Sequence, residues 1–299
     1  MNMSFSDFVK SHTSYFAKVH MYRKVYKNYI GVVVQIFRKK YPIKATLRNG
    51  QCVMLKNQFE AKATSWGLRD FIQSSDDIVV ILTKDLFKIK LYNSVNNGDI
   101  IGVFLREEYG FLPVKGNAII DIGANIGDSA IYFAIRGADK VIALEPYPKN
   151  CEIARKNIEL NNLSDKIILI LAGCSSICRT ITIDPKKERS VKSSLQESTN
   201  GIDVPLMTLE SILDENNINS ALLKMDCEGC EYETILSSSA DTLKKFSHIQ
   251  IEYHYGYKNL KSKLESCGFK VSVTNPKYSY NYEAKKPHMY YGFLYAIRN

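Results

Sequence analysis

The chain has 299 residues, 45% of them hydrophobic and 24% charged, which suffices for one full domain and a smaller companion and excludes a disordered, collagenous or disulfide-stapled chain. The formal net charge of +9 is carried entirely by residues 1–48, where ten Lys and Arg face one acid, Asp7, while positions 49–299 balance at thirty of each sign. An electrostatic partner is therefore expected to meet the N-terminus.

Apolar residues Phe5, Phe8, Tyr15, Val19, Tyr22, Tyr26, Ile30, Val33 and Phe37 recur mostly three or four apart, with His12 filling the gap. This predicts a helical stripe over residues 1–42, bent near Gly31 and stopped by Tyr41-Pro42. Lys18, Arg23, Lys24, Lys27, Arg38, Lys39 and Lys40 fall on or beside its other faces. The plain reading is a helix packed on its neighbour with a solvated basic face. The functional one is a basic amphipathic segment, residues 1–48, lying on an anionic membrane or a phosphate-bearing partner. The apolar run Tyr29 to Val34 is far short of the ~20 residues a spanning helix needs, and no cleavable signal is read. Seven scattered cysteines fit reduced thiols in a cytoplasmic protein, peripheral at a membrane if the basic segment tethers it.

Residues 43–112 read as a small β-rich cap. Ala45–Arg48 and Cys52–Leu55 flank Asn49-Gly50, a pair suited to a tight hairpin, and Ile78–Leu82 and Phe87–Leu91 continue the strand signal. Over residues 113–299 strands and helices alternate: strands at Ala118–Asp121, Val141–Leu144, Ile167–Leu171, Leu222–Asp226, Ile249–Tyr253, Lys270–Val273 and Gly292–Ile297, with helices after Gly127 and over Pro148–Asn161. The alternation predicts an α/β, doubly wound, mainly parallel sheet whose last two strands form an antiparallel hairpin at one edge. Lys186–Asp203, polar and Ser-rich, reads as an exposed loop.

Ile119 to Asp128 is an apolar strand running into a glycine-containing turn and then a helix, where an open α/β sheet docks a nucleotide-like ligand. Gly123 and Gly127 free the backbone to bend, and the helix start offers unpaired N–H groups. Asn125 and Asp128 stand where a dinucleotide fingerprint has glycines, which speaks against hydride transfer. Instead Asp121 precedes the turn, able to face an ammonium group, and Glu145 ends the next strand, able to accept from both ribose hydroxyls. Together they suit S-adenosylmethionine. Asp226-Cys227-Glu228-Gly229-Cys230-Glu231 then sets three carboxylates within six residues at a strand end, whose repulsion calls for a cation, a ligand or donors.

From Glu107 to Glu252 the chain resembles the FkbM family of S-adenosylmethionine-dependent methyltransferases. The resemblance rests on Glu108-Tyr109-Gly110-Phe111, Asp121 to Gly127, Leu144-Glu145-Pro146-Tyr147-Pro148, Asn157, Asn161-Asn162-Leu163, Met207-Thr208-Leu209-Glu210, Lys224 to Glu231 and Ile251-Glu252. It implies a class I methyltransferase (Rossmann-like) fold, O-methylation of a hydroxyl on a glycan, glycolipid or related metabolite, and cofactor contacts at Tyr109, Asp121, Gly123, Asn125, Gly127, Glu145, Pro146 and Asp226. The family often has small apolar residues where Cys227 and Cys230 stand, so these are read as packed beneath the strand end in preference to a redox pair or half of a zinc site, and usually Asp where Glu210 stands.

A hydroxyl needs a base near the methyl group, and Asp226 and His254 are the candidates. A rival arrangement, not favoured, has Asp226 and Glu252 holding a divalent cation. Two alternatives stand beside O-methylation. One is an RNA methyltransferase gripping phosphates with the basic N-terminus, against which Asp226-Cys227-Glu228-Gly229 occupies the place of the turn used for exocyclic amines. Asn275-Pro276-Lys277-Tyr278 resembles that turn but follows the sixth strand. The other is a catalytically silent partner subunit.

Overall fold

The computed structural model describes residues 19–20, 22–65, 72–74, 78–83, 85, 87–92, 99–185, 197–279 and 289–298. Phe5 to Phe16, and residues 186–196 of the Ser-rich segment, lie outside them. The chain divides into two units between Ile101 and Gly102. Among the described residues no helix is long and apolar enough to cross a membrane.

In the first unit, helix α1 (Tyr29–Phe37) runs through Gly31 without interruption. The predicted stripe breaks earlier, at Tyr26–Asn28. Tyr26 there bridges antiparallel to Leu47, and the Asn28 side chain accepts from the Thr46 N–H at 2.8 Å while donating to the Lys44 carbonyl at 3.0 Å. An adjacent strand competes with the helix for backbone hydrogen bonds, and the helix restarts out of phase. Tyr26 and Val32 are consequently buried with Ile43, Ala45, Val53, Leu55 and Ala61. Ile30, Val34 and Phe37 stay exposed at 65%, 41% and 62%. Strands β1 (Ile43–Thr46) and β2 (Cys52–Leu55) form the predicted antiparallel hairpin, with Gly50 of its turn at φ +92°. After helix α2 (Gln58–Ser65), strands β3 (Ile72–Ser74), β4 (Ile78–Leu82) and β5 (Lys88–Tyr92) make a second small antiparallel sheet. Helix α3 (Asp99–Phe104) follows.

The second unit is an α/β fold. Its strands in chain order are β6 (Ala118–Ile122), β7 (Lys140–Leu144), β8 (Ile167–Ile170), β9 (Gly173–Cys174), β10 (Arg179–Ile183), β11 (Ile202–Met207), β12 (Ala221–Met225), β13 (Phe246–Tyr253), β14 (Lys270–Val273), β15 (Lys277–Ser279) and β16 (Met289–Ile297). The main sheet has the order β14-β16-β13-β12-β6-β7-β8. β13, β12, β6, β7 and β8 are mutually parallel, and β16 is antiparallel to both of its neighbours. Helices α4 (Asp128–Ile135), α5 (Pro148–Leu160), α6 (Leu209–Glu215), α7 (Cys230–Ser237), α8 (Ala240–Lys244) and α9 (Lys258–Ser266) complete it. The central strands are buried nearly throughout, which is why they read as unbroken apolar runs rather than alternations. Ile120, Ile142, Leu223, Ile249 and Leu294 belong to one core cluster, each contributing ~1.5–3 kcal/mol by burial.

The last two predicted strands do pair antiparallel at one edge of the sheet, with β16 between β13 and β14, burying Leu294 and Ala296 completely. Nine residues as apolar as Met289–Ile297 would leave a sticky flank if only one side were paired. One expectation is corrected after β8, where β10, β11 and β9 form a small separate sheet. Ile202 and Asp203 are thus strand rather than loop. Ile181, Ile183, Val204 and Leu206 give that sheet its own core, against which Tyr147 packs.

Candidate active site

The chemistry-bearing residues gather where β6, β7, β12 and β13 end. After β6, the Gly123 and Ala124 N–H groups both donate to the Leu144 carbonyl, at 3.0 and 2.9 Å, pulling the turn onto β7. Gly123 sits at φ +80°, and a Cβ there would lie 1.8 Å from the Asp226 carbonyl oxygen. Only glycine lets the first and fourth strand ends approach so closely. Gly127, at φ +82°, starts α4 against Ala154. Asn157 donates to the Ile126 carbonyl at 2.8 Å, fixing the turn from α5.

Glu145 is buried at the end of β7. Its Oε2 accepts from the Asn125 N–H at 2.8 Å, and its Oε1 from the Tyr147 N–H at 3.0 Å and the Asn150 amide at 3.4 Å. Burial pushes its pKa up to about 7 against the pull of those donors. Pro146 begins the link to α5, whose first residue is Pro148. Tyr109 is buried too, its hydroxyl pKa held well above the ordinary value by burial and by Asp226 and Glu252. Gln250 anchors that segment by donating to the Glu108 carbonyl at 2.8 Å.

Asp121 does not face outward to an ammonium group. It is fully buried, 3.0 Å from Lys224 Nζ, and accepts from Ser129 Oγ at 2.6 Å. Lys224 is its register partner on the adjoining parallel strand, which aims both side chains to the same side of the sheet. Lys224 Nζ also donates to the Gly123 carbonyl at 2.8 Å and lies 5.4 Å from the centre of the Tyr109 ring. Burial alone would lower the Lys224 pKa, but Asp121 and Asp226 raise it, so the amine stays charged. Sequence reasoning missed Lys224, Ser129 and Gln250. The one available signal was a lysine inside the apolar run Leu222-Leu223-Lys224-Met225, which in a central strand demands a buried partner.

The fourth and fifth strand ends form a second cluster. His254 follows β13, with a side chain 4% exposed. Its Nδ1 meets Glu231 Oε1 at 3.1 Å, and its Nε2 faces Glu228 Oε2 at 3.4 Å and Asp226 Oδ1 at 3.7 Å. The three clustered carboxylates foreseen in the sequence thus converge on one imidazole. Burial depresses its basicity, but the Glu231 hydrogen bond and the surrounding charges override this and raise the pKa to about 10. A pKa raised in this way favours the protonated imidazole and counts against His254 as the base. Glu252 lies nearby, its carboxyl well above the usual range through burial and the charges of Asp226, Glu228 and Glu108. The donor atoms that could share a metal are those of Asp226, Glu228 and His254, so Glu228 stands in this set where Glu252 was expected.

Cys227 and Cys230 are joined in a disulfide, correcting their reading as two packed, reduced residues. Glu228 at φ +55° and Gly229 at φ +129° fold the intervening chain back, bringing the Cα atoms to 5.6 Å, within bridging range. Cys174 and Cys178 remain free thiols.

Residues 121–271 match the family model of the methyltransferase FkbM domain. Over 204 residues the chain is 24% identical to Methyltransferase 1 of Beauveria bassiana, covering 59% of this chain and 82% of that one. It is 42% identical over 55 residues to a ribosomal protein L11 methyltransferase of Carboxydothermus hydrogenoformans, spanning only 18% of the length of either. The solved structure of a methyltransferase FkbM from Methylobacillus flagellatus aligns with TM-score 0.43 at 16% identity, over 62% of this chain and 45% of that one.

Proposed function

The chain belongs to the FkbM methyltransferase family, and on that premise we propose that it moves a methyl group from S-adenosylmethionine to a hydroxyl of a glycan, glycolipid or related metabolite. One observation carries the reading. The glycine turn after β6 and the buried Glu145 after β7 adjoin the strand ends where Asp226 stands beside a fixed imidazolium, so a cofactor cradle and a proton acceptor occupy the same end of one sheet.

S-adenosylmethionine supplies a methyl group on a positively charged sulfur. Glu145 would receive the ribose hydroxyls, its 3.4 Å contact to Asn150 being the longest of its three. The Gly123–Gly127 turn and the start of α4 offer N–H groups to the methionine carboxylate. Asp226, 28% exposed, would meet the acceptor and take the hydroxyl proton as the oxygen–methyl bond forms and the methyl–sulfur bond breaks, the sulfur leaving as a neutral thioether. His254 holds that carboxylate in place as a positive charge. Radiolabelled methyl transfer into separated lipid, glycan and RNA fractions tests the acceptor class, and label confined to RNA would overturn it. Asp226→Asn is expected to lower turnover by ~10²–10⁴ while the protein stays folded. Wild-type turnover in that variant would remove Asp226 from the chemistry.

The acceptor's setting forms the second half of the proposal. Ile30, Val34 and Phe37 are exposed on α1, with Arg38, Lys39 and Lys40 exposed just after it. Each such basic residue contributes ~1 kcal/mol near an anionic surface, which supports salt-sensitive, peripheral association with lipid and access to lipid-linked acceptors. Replacing Ile30, Val34 and Phe37 by Ser spares the buried Tyr26 and Val32. Flotation with anionic vesicles is expected for the parent and lost in the triple variant. Equal flotation of both, or of neither, returns α1 to a structural role.

A further inference from the structure

We propose that Asp226, Glu228 and His254 bind one divalent transition-metal cation, of the kind Mn2+ represents, with Glu231 orienting the imidazole; the inference deepens the methyl-transfer reading and rests on it. The Asp226 Oδ1, Glu228 Oε2 and His254 Nε2 atoms lie within 4.8 Å of one another. His254 Nε2 is 3.4 Å from the Glu228 oxygen and 3.7 Å from the Asp226 oxygen. Ligands ~2.1 Å from a shared ion lie roughly 3–4 Å apart, so the three atoms need little movement to share one once the ion has displaced the Nε2 proton of the imidazolium.

The supporting structure is that of a built site. His254 is almost wholly buried, its Nδ1 engaged by Glu231 at 3.1 Å and its Nε2 turned to the Glu228 and Asp226 carboxylates. Glu231 is itself fully buried, is fixed by the Cys227 N–H at 2.9 Å, and keeps an Oε2 without a hydrogen-bond partner among those residues. A carboxylate holding one imidazole nitrogen so that the other points at a metal is the usual outer-shell device of histidine ligands. One imidazole and two carboxylates form a mixed donor set that suits Mn2+ better than the all-oxygen shell Mg2+ prefers. The neighbouring thiolates are withdrawn by the Cys227–Cys230 disulfide. That bond also closes the loop carrying Glu228, so two of the donors are set by a strand end and a tied turn.

Asp226 and Glu228 are 28% and 26% exposed, leaving the open side of the ion to the acceptor. A cation there selects acceptors that offer oxygen ligands, above all neighbouring hydroxyl pairs on a sugar, and draws electron density from the coordinated hydroxyl. Glu252 is not among the three donors, which separates this site from a simple acidic patch.

Titration of the chelator-stripped, full-length protein with Mn2+ alone, followed by electron paramagnetic resonance, tests the site. The expected result is one ion per chain. Its affinity should fall at least tenfold in Glu228→Gln and in His254→Gln, either of which suffices if the other does not fold, and stay within twofold in Glu252→Gln. No stoichiometric uptake by a protein that binds S-adenosylmethionine in calorimetry would overturn the cation site and leave the methyl-transfer reading intact. Equal uptake by wild type and Glu228→Gln would also overturn it. One tightly bound ion without any S-adenosylmethionine binding would support the site and overturn the methyl-transfer reading instead.

Discussion

Lys224 and His254 are both buried cations beside carboxylates on adjacent strands, β12 and the end of β13. Lys224 and Asp121 are closed to solvent, at 1% and 0% exposure, and meet each other, Ser129, turn carbonyls and the Tyr109 ring. The His254 cluster instead keeps two of its three carboxylates a quarter exposed. The first pair spends its charge on joining two strand ends across the glycine turn. The second keeps charge available where an acceptor can reach it. Position relative to the strand end decides between them: Lys224 and Asp121 lie inside strands, whereas Asp226, Glu228 and His254 lie just beyond.

The largest test of that contrast is Lys224→Met, which strands a carboxylate in the interior and is expected to destabilise the protein by ~3–5 kcal/mol in denaturant unfolding. Adding Asp121→Asn should restore much of the loss. If Lys224→Met alone costs nothing, the closed pair does not hold the strands. Glu145 sharpens the comparison from a third position, being buried like Asp121 but met only by N–H donors. Removing two charge-assisted hydrogen bonds of ~1.5–3 kcal/mol each, Glu145→Ala should weaken S-adenosylmethionine binding well over tenfold in calorimetry. Unchanged affinity would remove Glu145 from the cofactor site. The smallest effect is a pH slope. The folded-state pKa of His254, about 10, lies above its ordinary value of 6.5. Its stabilisation is therefore complete below pH 6.5 and is lost as pH rises toward 10. Between pH 7 and 9, with chelator present, wild type should lose ~2–3 kcal/mol more stability than His254→Gln. Parallel curves for the two would mean that the imidazole carries no extra proton.

Much of the parallel sheet was legible because its strands are continuous apolar runs separated by glycine turns and helices. The mutual repulsion of Asp226, Glu228 and Glu231 called for a cation, a ligand or donors, and only the fold supplied the imidazole they share. β10 and β11 escaped notice because Arg179–Ile183 and Ile202–Met207 flank a polar stretch and bury only Ile181, Ile183, Val204, Leu206 and Met207. The phase of the N-terminal stripe was misjudged because the competitor that breaks it at Tyr26–Asn28, the hairpin carrying Lys44 to Leu47, lies some twenty residues downstream.

The sequence by itself determined the strand-and-helix alternation, the glycine turn, the acidic residues after β7 and β12, and through them the family. These are local signals, written in neighbouring residues. Which carboxylate meets which cation was decided only by the tertiary structure. Lys224 finds Asp121, 103 positions away, through strand register, and His254 finds Glu231, 23 positions away, through the fold-back of a disulfide-closed loop. Charge pairing depends on distances in space, and strand order, register and burial set those distances after the local elements have formed.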